Sequence, residues 1–389
     1  MARDWNECIA LYVQTFADCI PVRGATRSAF YDLTRHEILL FPPDYYPLCN
    51  QIQGNTIGRI VAELNDDVNQ AQVVAFLDFL DDNELIMLVD DPSLFPAIPT
   101  GWDYPGMIQN AIIDISQVRH NFGKIFGDLD ALGCQHVQIR AFSNLLTLGD
   151  YDDILEKALD KSIAGVELIL KYEGQTSVER YVEFMNRHPI ITSVSVHSAK
   201  MTDRIVVNTT SPVFYEGAPR RELRFTEQDI VSERNCGVIT QKQLTPPAVD
   251  TFFEAKSFNG CLNRKISIDS NGDIKKCPSM QKAYGNICEL SLIDVARRAE
   301  FEEEGNLAKD QVEICKDCEF RYACSDCRAY LENPSNMYSK PLKCGYDPHK
   351  AEWSDWVSDP DKTVVARGYG MDSLLKRPKS STLVWPTKI

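Results

Sequence analysis

The distribution of cysteine constrains this sequence more than any other feature. The chain of 389 residues contains 13 cysteines, and nine of them lie between Cys236 and Cys344. The N-terminus has no basic segment followed by an apolar one, so no signal peptide is predicted and we expect a cytoplasmic protein. Because a reducing cytosol disfavours a disulfide framework, the dense cysteine cluster predicts a metal-binding region.

Two Cys-x2-Cys pairs separated by five residues form the strongest motif in this region. They read Cys315-x2-Cys318-x5-Cys324-x2-Cys327. Each pair places two thiolates at turn spacing, which suits a metal ion or an iron–sulfur cluster. Spacing alone leaves two zinc sites of four cysteines each and iron–sulfur clusters equally open.

A hairpin is predicted upstream of these pairs. The dipeptide Asn271-Gly272 separates two strand-like segments, and Asn-Gly is a strong hairpin signal. The hairpin brings Cys261 and Cys277 near each other. Isolated cysteines are instead expected to be small buried apolar residues, and these are Cys8, Cys19, Cys49, Cys134 and Cys288.

Charge and hydropathy exclude two classes of partner. The formal net charge of −15 opposes non-specific binding to nucleic acid or to an anionic membrane surface, because its field repels phosphate. The longest apolar stretches, residues 111–115 and 166–170, are strand-sized and are interrupted by Asp114 and Glu167. No membrane span is therefore predicted.

The first 91 residues are predicted to form a winged-helix-like module. Strands are expected at residues 25–32, 37–41 and 85–89, and helices at 57–64 and 69–83. Residues 92–106 are rich in proline and are interpreted as a linker.

Strands and helices alternate regularly from residue 107 to residue 235. This pattern predicts an α/β region with a parallel sheet, open or curled into part of a barrel. The predicted strands are 111–115, 136–141, 166–171 and 192–197, and the predicted helices are 122–132, 151–161 and 178–186. The cysteine-rich region spans 236–348, and residues 349–389 form a C-terminal extension with no assigned function.

The cysteine-rich region resembles a SPASM domain, the auxiliary-cluster module of radical SAM peptide-modifying enzymes. The resemblance rests on Cys261-x10-Gly272-x4-Cys277, on the paired cysteines, on the final Cys344, and on the segments KISIDSNGDIKKCPSM, YGNI and CKDCEFRYAC. It departs from the family pattern in one spacing, because Cys324-x2-Cys327 replaces Cys-x3-Cys.

This resemblance implies two [4Fe–4S] clusters with interleaved ligands. One would be held by Cys315, Cys318, Cys324 and Cys344. The other would be held by Cys261, Cys277, Cys327 and an upstream cysteine, for which Cys236 is preferred over Cys288.

Radical SAM enzymes hold a further cluster with Cys-x3-Cys-x2-Cys in the loop after the first barrel strand. Here the loop after residues 111–115 contains no cysteine, and the motif occurs nowhere in the chain. The resemblance therefore implies a degenerate radical-SAM-like partial (β/α) barrel, in which neither a SAM cofactor nor SAM cleavage is expected.

This combination resembles the SPASM-domain peptide maturases of grasp-with-spasm systems, with CLNRKISIDSNGDIKKCPSM as the most specific segment. The resemblance implies an iron–sulfur protein that matures a ribosomally made peptide together with an ATP-grasp ligase. The N-terminal module would bind the precursor's leader by β-augmentation. Residues 56–91 contain one Arg, no Lys and nine acidic residues, which disfavours a DNA-binding winged helix.

Catalysis is left open by the sequence. The alternative is a non-catalytic adaptor, with structural clusters or zinc, that presents the precursor to the ligase. His197, at the end of a predicted strand, and Asp114, within one, are candidates for acid–base chemistry. His120 and Glu167 lie in similar positions. The competing interpretation of all four is a hydrogen-bonded polar group inside the barrel.

Overall fold

The computed structural model describes residues 3–62, 67–116, 120–207 and 221–376. The last two residues of the helix predicted at 57–64, and the C-terminal extension beyond residue 376, lie outside these ranges. The strands are β1 (Tyr12–Thr15), β2 (Cys19–Val22), β3 (Ser28–Asp32), β4 (Glu37–Phe41), β5 (Ile86–Val89), β6 (Asn110–Ile115), β7 (His136–Ala141), β8 (Gly165–Lys171), β9 (Ile191–His197), β10 (Asp203–Val207), β11 (Arg221–Phe225), β12 (Lys265–Ile268), β13 (Ile274–Lys275), β14 (Tyr346–Asp347) and β15 (Glu352–Trp353). The α-helices are α1 (Tyr46–Ile52), α2 (Ile57–Ala62), α3 (Asp67–Asp82), α4 (Phe122–Ala131), α5 (Leu148–Glu156), α6 (Val178–Arg187), α7 (Val249–Ser257), α8 (Leu292–Ala296), α9 (Ala299–Glu303), α10 (Pro360–Gly368) and α11 (Asp372–Leu375).

The N-terminal region contains a three-stranded antiparallel sheet in the order β2-β3-β4, packed on α1, α2 and α3. The predicted strand at 37–41 is β4, and the strand predicted at 25–32 begins three residues later as β3. Strands β1 and β2 and helix α1 were not predicted, because they are short and Pro21 interrupts β2. Strand β5 pairs with β1 and not with the β3–β4 hairpin, so the pairing differs from the winged-helix-like outline.

A mostly parallel sheet of eight strands forms the centre of the molecule, in the order β10-β11-β9-β8-β7-β6-β12-β13. Only the two edge pairs, β10 with β11 and β12 with β13, are antiparallel. The prediction of an α/β region with a parallel sheet is confirmed. The β12–β13 hairpin belongs to the cysteine-rich region in sequence, but β12 extends this sheet by pairing in parallel with β6.

The two faces of the large sheet differ in polarity because successive side chains in a strand point to opposite sides. One face is apolar and packs against α4, α5 and α6 in the largest hydrophobic core. The alternating positions on the central strands are polar yet buried, and they include Asp114, Gln138, Arg140, Ser193, Ser195 and His197. Charge and hydrogen-bonding capacity are thus concentrated on the face that these helices do not cover.

The N-terminal sheet packs directly on the cysteine-rich region. Tyr31 of β3 contacts the ring of Phe252 in α7 at 5.2 Å between centroids, and its hydroxyl donates to the carbonyl of Glu319 at 2.8 Å. In the turn before β3, the N–H of Ala25 donates to the carbonyl of Asp317 at 2.8 Å. The acceptors of both hydrogen bonds lie between Cys315 and Phe320. The turn that carries the first Cys-x2-Cys pair therefore supports the N-terminal sheet.

The C-terminal segment covers the other side of the cysteine-rich region. Ala366, Met371 and Leu374, from α10 to α11, are buried in one cluster with Cys327 and Tyr330. In the described part of the chain, no helix is long and apolar enough to cross a membrane.

Phe252 should be a main stabilising contact between the two regions. Replacing Phe252, which is fully buried, with alanine is expected to lower the free energy of unfolding by about 3–5 kcal/mol, since it leaves a cavity. Urea denaturation followed by tryptophan fluorescence measures this change. Leu159→Ala, at a side chain that is 66% exposed, is the control and should have little effect. Equal midpoints for the two variants would contradict the assigned interface.

Candidate metal centres

Eight cysteines of the cysteine-rich region approach one another as two sets of four. The first thiol group contains Cys236, Cys261, Cys277 and Cys327, and the second contains Cys315, Cys318, Cys324 and Cys344. Burial first, and then negative charge on sulfurs of the same group, raises the pKa of these thiols. The resemblance implies the same two sets of residues, and their role as ligands stays a prediction.

The β12–β13 hairpin places two sulfurs of the first thiol group. Cys261 precedes β12 and Cys277 follows β13, so antiparallel pairing brings them to the same end of the hairpin. Gly272 has φ +90° in the turn, a conformation that glycine adopts without the steric cost of a Cβ. Asp269 Oδ1 accepts the backbone N–H groups of Asn271 at 2.9 Å and Asp273 at 3.0 Å, which fixes the turn.

Two more segments complete the first thiol group. Asn259 Nδ2 donates to Asp326 Oδ2 at 2.8 Å, and Asn259 Oδ1 accepts the N–H of Cys261 at 3.0 Å, so the Cys261 and Cys327 segments are joined. Gly237 has φ +82°, and a Cβ built there would lie 2.6 Å from Cys327 Sγ. A side chain does not fit at that position, so the backbone after Cys236 lies directly against the Cys327 sulfur.

The second thiol group is built around the first Cys-x2-Cys turn. Cys315 begins a short 3-10 helix, and the N–H of Cys318 donates to its carbonyl at 3.0 Å. Cys344 is brought in by a parallel bridge with Ile239. The four thiols line a recess with about 360 Å³ of empty space, whose other walls include Phe320 and Trp353. Thiolate sulfur is the donor type that zinc and iron–sulfur clusters both select.

Buried cations face the first thiol group. Lys265 Nζ lies 3.8 Å from Cys261 Sγ, and Lys343 Nζ donates to the carbonyl of Cys236 at 2.7 Å. Arg140, on the polar face of the large sheet, interacts electrostatically with Cys236 and Cys277. Because an uncompensated buried charge is very unfavourable, these cations favour negative charge on the sulfurs.

Lysines face the second thiol group as well. Lys309 Nζ lies 3.1 Å from Cys324 Sγ and 3.9 Å from Cys315 Sγ. Lys340 lines the same recess and donates to the carbonyl of Tyr346 at 2.7 Å. Lys309 and Lys340 are both buried, although lysine is almost never buried without a partner. Each thiol group therefore has buried cations beside it, and the second also has the buried carboxylates of Glu319 and Asp326.

Burial acts against ionisation of the same thiols. Burial, and then charge on neighbouring sulfurs, raises the pKa of Cys277 and of Cys327 to about 12. Burial also raises the pKa of Cys315 to about 12, although Lys309 lowers it. A bound metal must displace these protons, so metal binding should be strongly pH-dependent. Within the described ranges, no three His, Cys, Asp or Glu side chains are grouped closely enough to hold a single metal ion.

The remaining cysteines differ in exposure. Cys19, Cys49 and Cys134 are buried, and burial raises the pKa of each to about 12. Cys288 is exposed. Lys124, of α4, donates to the carbonyl of Ile287 at 3.0 Å, which places the neighbouring Cys288 beside α4.

Asp114 and His197 do not form a pair with each other. Arg140 donates to both carboxylate oxygens of Asp114, at 2.5 Å and 2.7 Å, and all of these atoms are buried. The two ring nitrogens of His197 lie 3.2 Å from the carbonyl oxygen of Ala141 and 3.0 Å from Ser198 Oγ. Both candidates thus have hydrogen-bond partners inside the molecule, as the alternative interpretation of barrel-interior polar groups requires.

The other two polar candidates also have partners. Nε2 of His120 lies 2.9 Å from the carbonyl oxygen of Asp114, and Glu167 accepts from Gln138 at 3.0 Å. His120 lines a recess with about 1270 Å³ of empty space at the carboxyl ends of β6 and β7, together with Asn121, Asp150 and Asp153.

The charged residues beside the thiols were not predicted from the sequence. Lys265, Lys309, Lys343 and Arg140 are far apart along the chain, and lysine and arginine are usually exposed. The one local signal is that Lys265, Lys309 and Lys343 stand close to cysteines in sequence. That signal does not distinguish them from Lys316, which is exposed.

Comparisons with known proteins add limited information. No family model matches the chain, and no curated protein matches it. Similar solved structures include SuiB from Streptococcus suis bound to S-adenosylmethionine (11% identity, TM-score 0.29) and SuiB bound to precursor peptide SuiA (12% identity, TM-score 0.26). Each comparison covers 82% of this chain and 96% of the SuiB chain. At TM-scores this low, the likeness assigns neither a fold nor a function to this chain.

Asp114 should be required for stability because it neutralises Arg140. Asp114→Asn leaves a buried guanidinium without its counter-charge and is expected to cost about 3–5 kcal/mol of unfolding free energy. Replacing the pair together, Asp114→Leu with Arg140→Met, should recover most of that loss. Urea denaturation measures both changes.

The control for this experiment is Asp160→Asn, in an exposed pair with Lys161 at 2.8 Å, which should change little. A wild-type midpoint for Asp114→Asn would show that Arg140 does not depend on this carboxylate.

Proposed function

We propose that the protein is an iron–sulfur protein for the maturation of a ribosomally synthesised peptide. It binds two [4Fe–4S] clusters and the leader of the precursor, and it acts with an ATP-grasp ligase. Reductive cleavage of S-adenosylmethionine is not part of this function, because no Cys-x3-Cys-x2-Cys segment exists in the chain. The observation that carries the proposal is the grouping of eight thiols into two sets of four, each beside buried cations.

Cys236, Cys261, Cys277 and Cys327 would hold one cluster, and Cys315, Cys318, Cys324 and Cys344 the other. Such clusters supply one-electron chemistry, and four thiolates on each leave no iron open to a substrate. Thiolate-bound clusters carry negative charge, which the buried Lys265, Lys309 and Lys343 would compensate. If the thiols were neutral, these buried ammonium groups would have less negative charge beside them.

The N-terminal sheet supports the proposed peptide site. In the described part of the chain, no backbone hydrogen bond joins β4 to a strand other than β3, so β4 is an edge at which an extended peptide can add a strand. Leu40, near the end of β4, is 38% exposed. Residues 1–91 contain five basic and 15 acidic residues, so a leader with lysine or arginine residues fits this region best.

The N-terminal region, which carries the proposed peptide site, contacts the proposed second cluster site through a buried carboxylate. Arg27, in the turn before β3, donates to Glu319 Oε1 at 2.9 Å, and Glu319 follows Cys318 directly. Glu319 is fully buried and also accepts from Tyr346. This contact is a physical connection through which leader binding and metal loading would influence each other.

Metal content tests the first part of the proposal. Protein purified anaerobically is expected to contain about eight irons and eight sulfides per chain, as two four-iron clusters require. Cys236→Ala should lose about half of the iron because it removes a ligand of the first thiol group. Cys288→Ala is the matched control and should keep the wild-type content. Iron and zinc are measured by mass spectrometry, and sulfide is measured colorimetrically.

Two other outcomes have definite meanings. About two zincs and no sulfide would replace the proposal with a zinc-stabilised adaptor that presents the precursor. Loss of iron in Cys288→Ala but not in Cys236→Ala would reassign the eighth ligand.

Peptide binding tests the second part. Panning a randomised dodecapeptide library on the full-length protein should enrich basic sequences with alternating apolar residues. Leu40→Lys should weaken binding of an enriched basic peptide about tenfold or more, since it places a like charge at an apolar edge. Fluorescence anisotropy measures the affinity. Leu94→Lys, at a leucine that is 73% exposed, is the control. Equal affinity for the two variants would exclude the β4 edge.

A further inference from the structure

Lys309 makes the closest approach of any described ammonium group to a sulfur of the second thiol group. Its Nζ lies 3.1 Å from Cys324 Sγ and 3.9 Å from Cys315 Sγ, so it reaches two proposed ligands of one cluster. The side chain is only 4% exposed. Water is therefore nearly excluded from the ammonium, and its interactions with the sulfurs are not screened by solvent.

The carboxylate nearest Lys309 is shared with another cation. Asp326 Oδ1 lies 3.6 Å from Lys309 Nζ but only 2.7 Å from Nη2 of Arg328. Asp326 also accepts from Asn259 at 2.8 Å. Asp326 therefore divides its charge between Arg328 and Lys309, and Lys309 interacts with the sulfurs of Cys315 and Cys324 as well as with this carboxylate.

Lys265 occupies the corresponding place at the first thiol group. Its Nζ lies 3.8 Å from Cys261 Sγ, and the side chain is 7% exposed. It is held in place by β12, which pairs in parallel with β6 of the large sheet. Each thiol group thus has a lysine whose ammonium lies within 4 Å of one of its sulfurs, and the two lysines come from different segments of the chain.

A buried positive charge beside a cluster favours its reduced form, because reduction adds negative charge to the same volume. Hydrogen bonds to the ligand sulfurs act in the same direction, and both effects are known to set iron–sulfur potentials. The effect is local, since it decreases with distance from the charge. One lysine should therefore act mainly on one cluster.

We propose that Lys309 sets the reduction potential of the cluster held by the second thiol group, and that Lys265 sets that of the cluster held by the first. Both residues are positioning residues for redox chemistry and not ligands. This inference rests on the proposed function, since it requires the two clusters. It adds that the two potentials are controlled independently.

The experiment is a reductive titration of anaerobically purified full-length protein, with dithionite as the electron donor and electron paramagnetic resonance as the readout. Each couple transfers one electron. Lys309→Gln should lower one of the two midpoint potentials by at least the equivalent of a tenfold change in the reduction equilibrium, which is 59 mV for one electron. Lys265→Gln should lower the other potential.

Two further variants separate charge from structure. Lys309→Arg keeps the charge and a donor and should retain a potential close to that of the wild type. Lys316→Gln removes a lysine that is exposed beside Cys315, and it should leave both potentials unchanged because water screens that charge. A purely structural role for Lys309 would instead lower the iron content without shifting the potential of the remaining cluster.

The failures of the two proposals are distinguishable. Wild-type protein without iron and sulfide overturns both of them. Full iron content with unshifted potentials in Lys309→Gln and Lys265→Gln overturns only the role of the lysines. Equal shifts in Lys309→Gln and Lys316→Gln also overturn it, since exposed and buried charge would then be equivalent. Loss of the cluster in Lys309→Gln, with a wild-type potential at the remaining cluster, overturns the redox role of Lys309, and the Lys265→Gln titration then tests the first thiol group independently.

Discussion

The burial of lysine beside sulfur is the constraint on which the cysteine-rich region depends. A buried ammonium is unfavourable unless negative charge lies next to it, and burial raises the pKa of the thiols, which keeps them neutral. The buried lysines need negative charge beside them, and the buried thiols need positive charge beside them in order to ionise. Lys309 and Lys265 stabilise thiolates, and thiolates stabilise buried lysines. A metal that binds to such a group displaces the remaining protons, so the folding of this region and metal loading should be coupled.

Segments that are distant in sequence must meet for this arrangement to form. Ile239 donates its N–H to the carbonyl of Lys343 at 3.1 Å, and Lys343 reaches back to the carbonyl of Cys236 at 2.7 Å. This crossing passes between the two thiol groups, because Cys236 belongs to one and Cys344 to the other. Contacts so far apart in sequence form late and are costly in loop entropy, so a bound metal would contribute much of their stability.

Residues of the large sheet and of the N-terminal region both contact the segments that carry the thiol groups. Arg140, on the polar face of the large sheet, interacts electrostatically with the first thiol group. The ion pair between Arg27 and Glu319 connects the N-terminal sheet to the second thiol group. An ion pair and the interaction of a guanidinium with sulfur therefore join the three parts of the molecule, in addition to apolar packing. A peptide at the edge of the N-terminal sheet would lie on the same structural unit as the Cys315 turn.

The sequence by itself determined the parts of this protein that depend on local pattern. The alternation of strand-like and helix-like segments predicted the parallel sheet, and Asn271-Gly272 predicted the hairpin. These features follow from interactions between residues close in sequence, or from a hydrophobic period that any burial must satisfy. Only the tertiary structure decided that β12 joins the large sheet, that Asp114 pairs with Arg140, and that Lys265 and Lys309 face the thiols. Sequence alone predicts that a lysine is exposed, because lysine is usually exposed. Burial of Lys265 and Lys309 results from packing between segments that are distant in sequence, and it requires negative charge beside each ammonium.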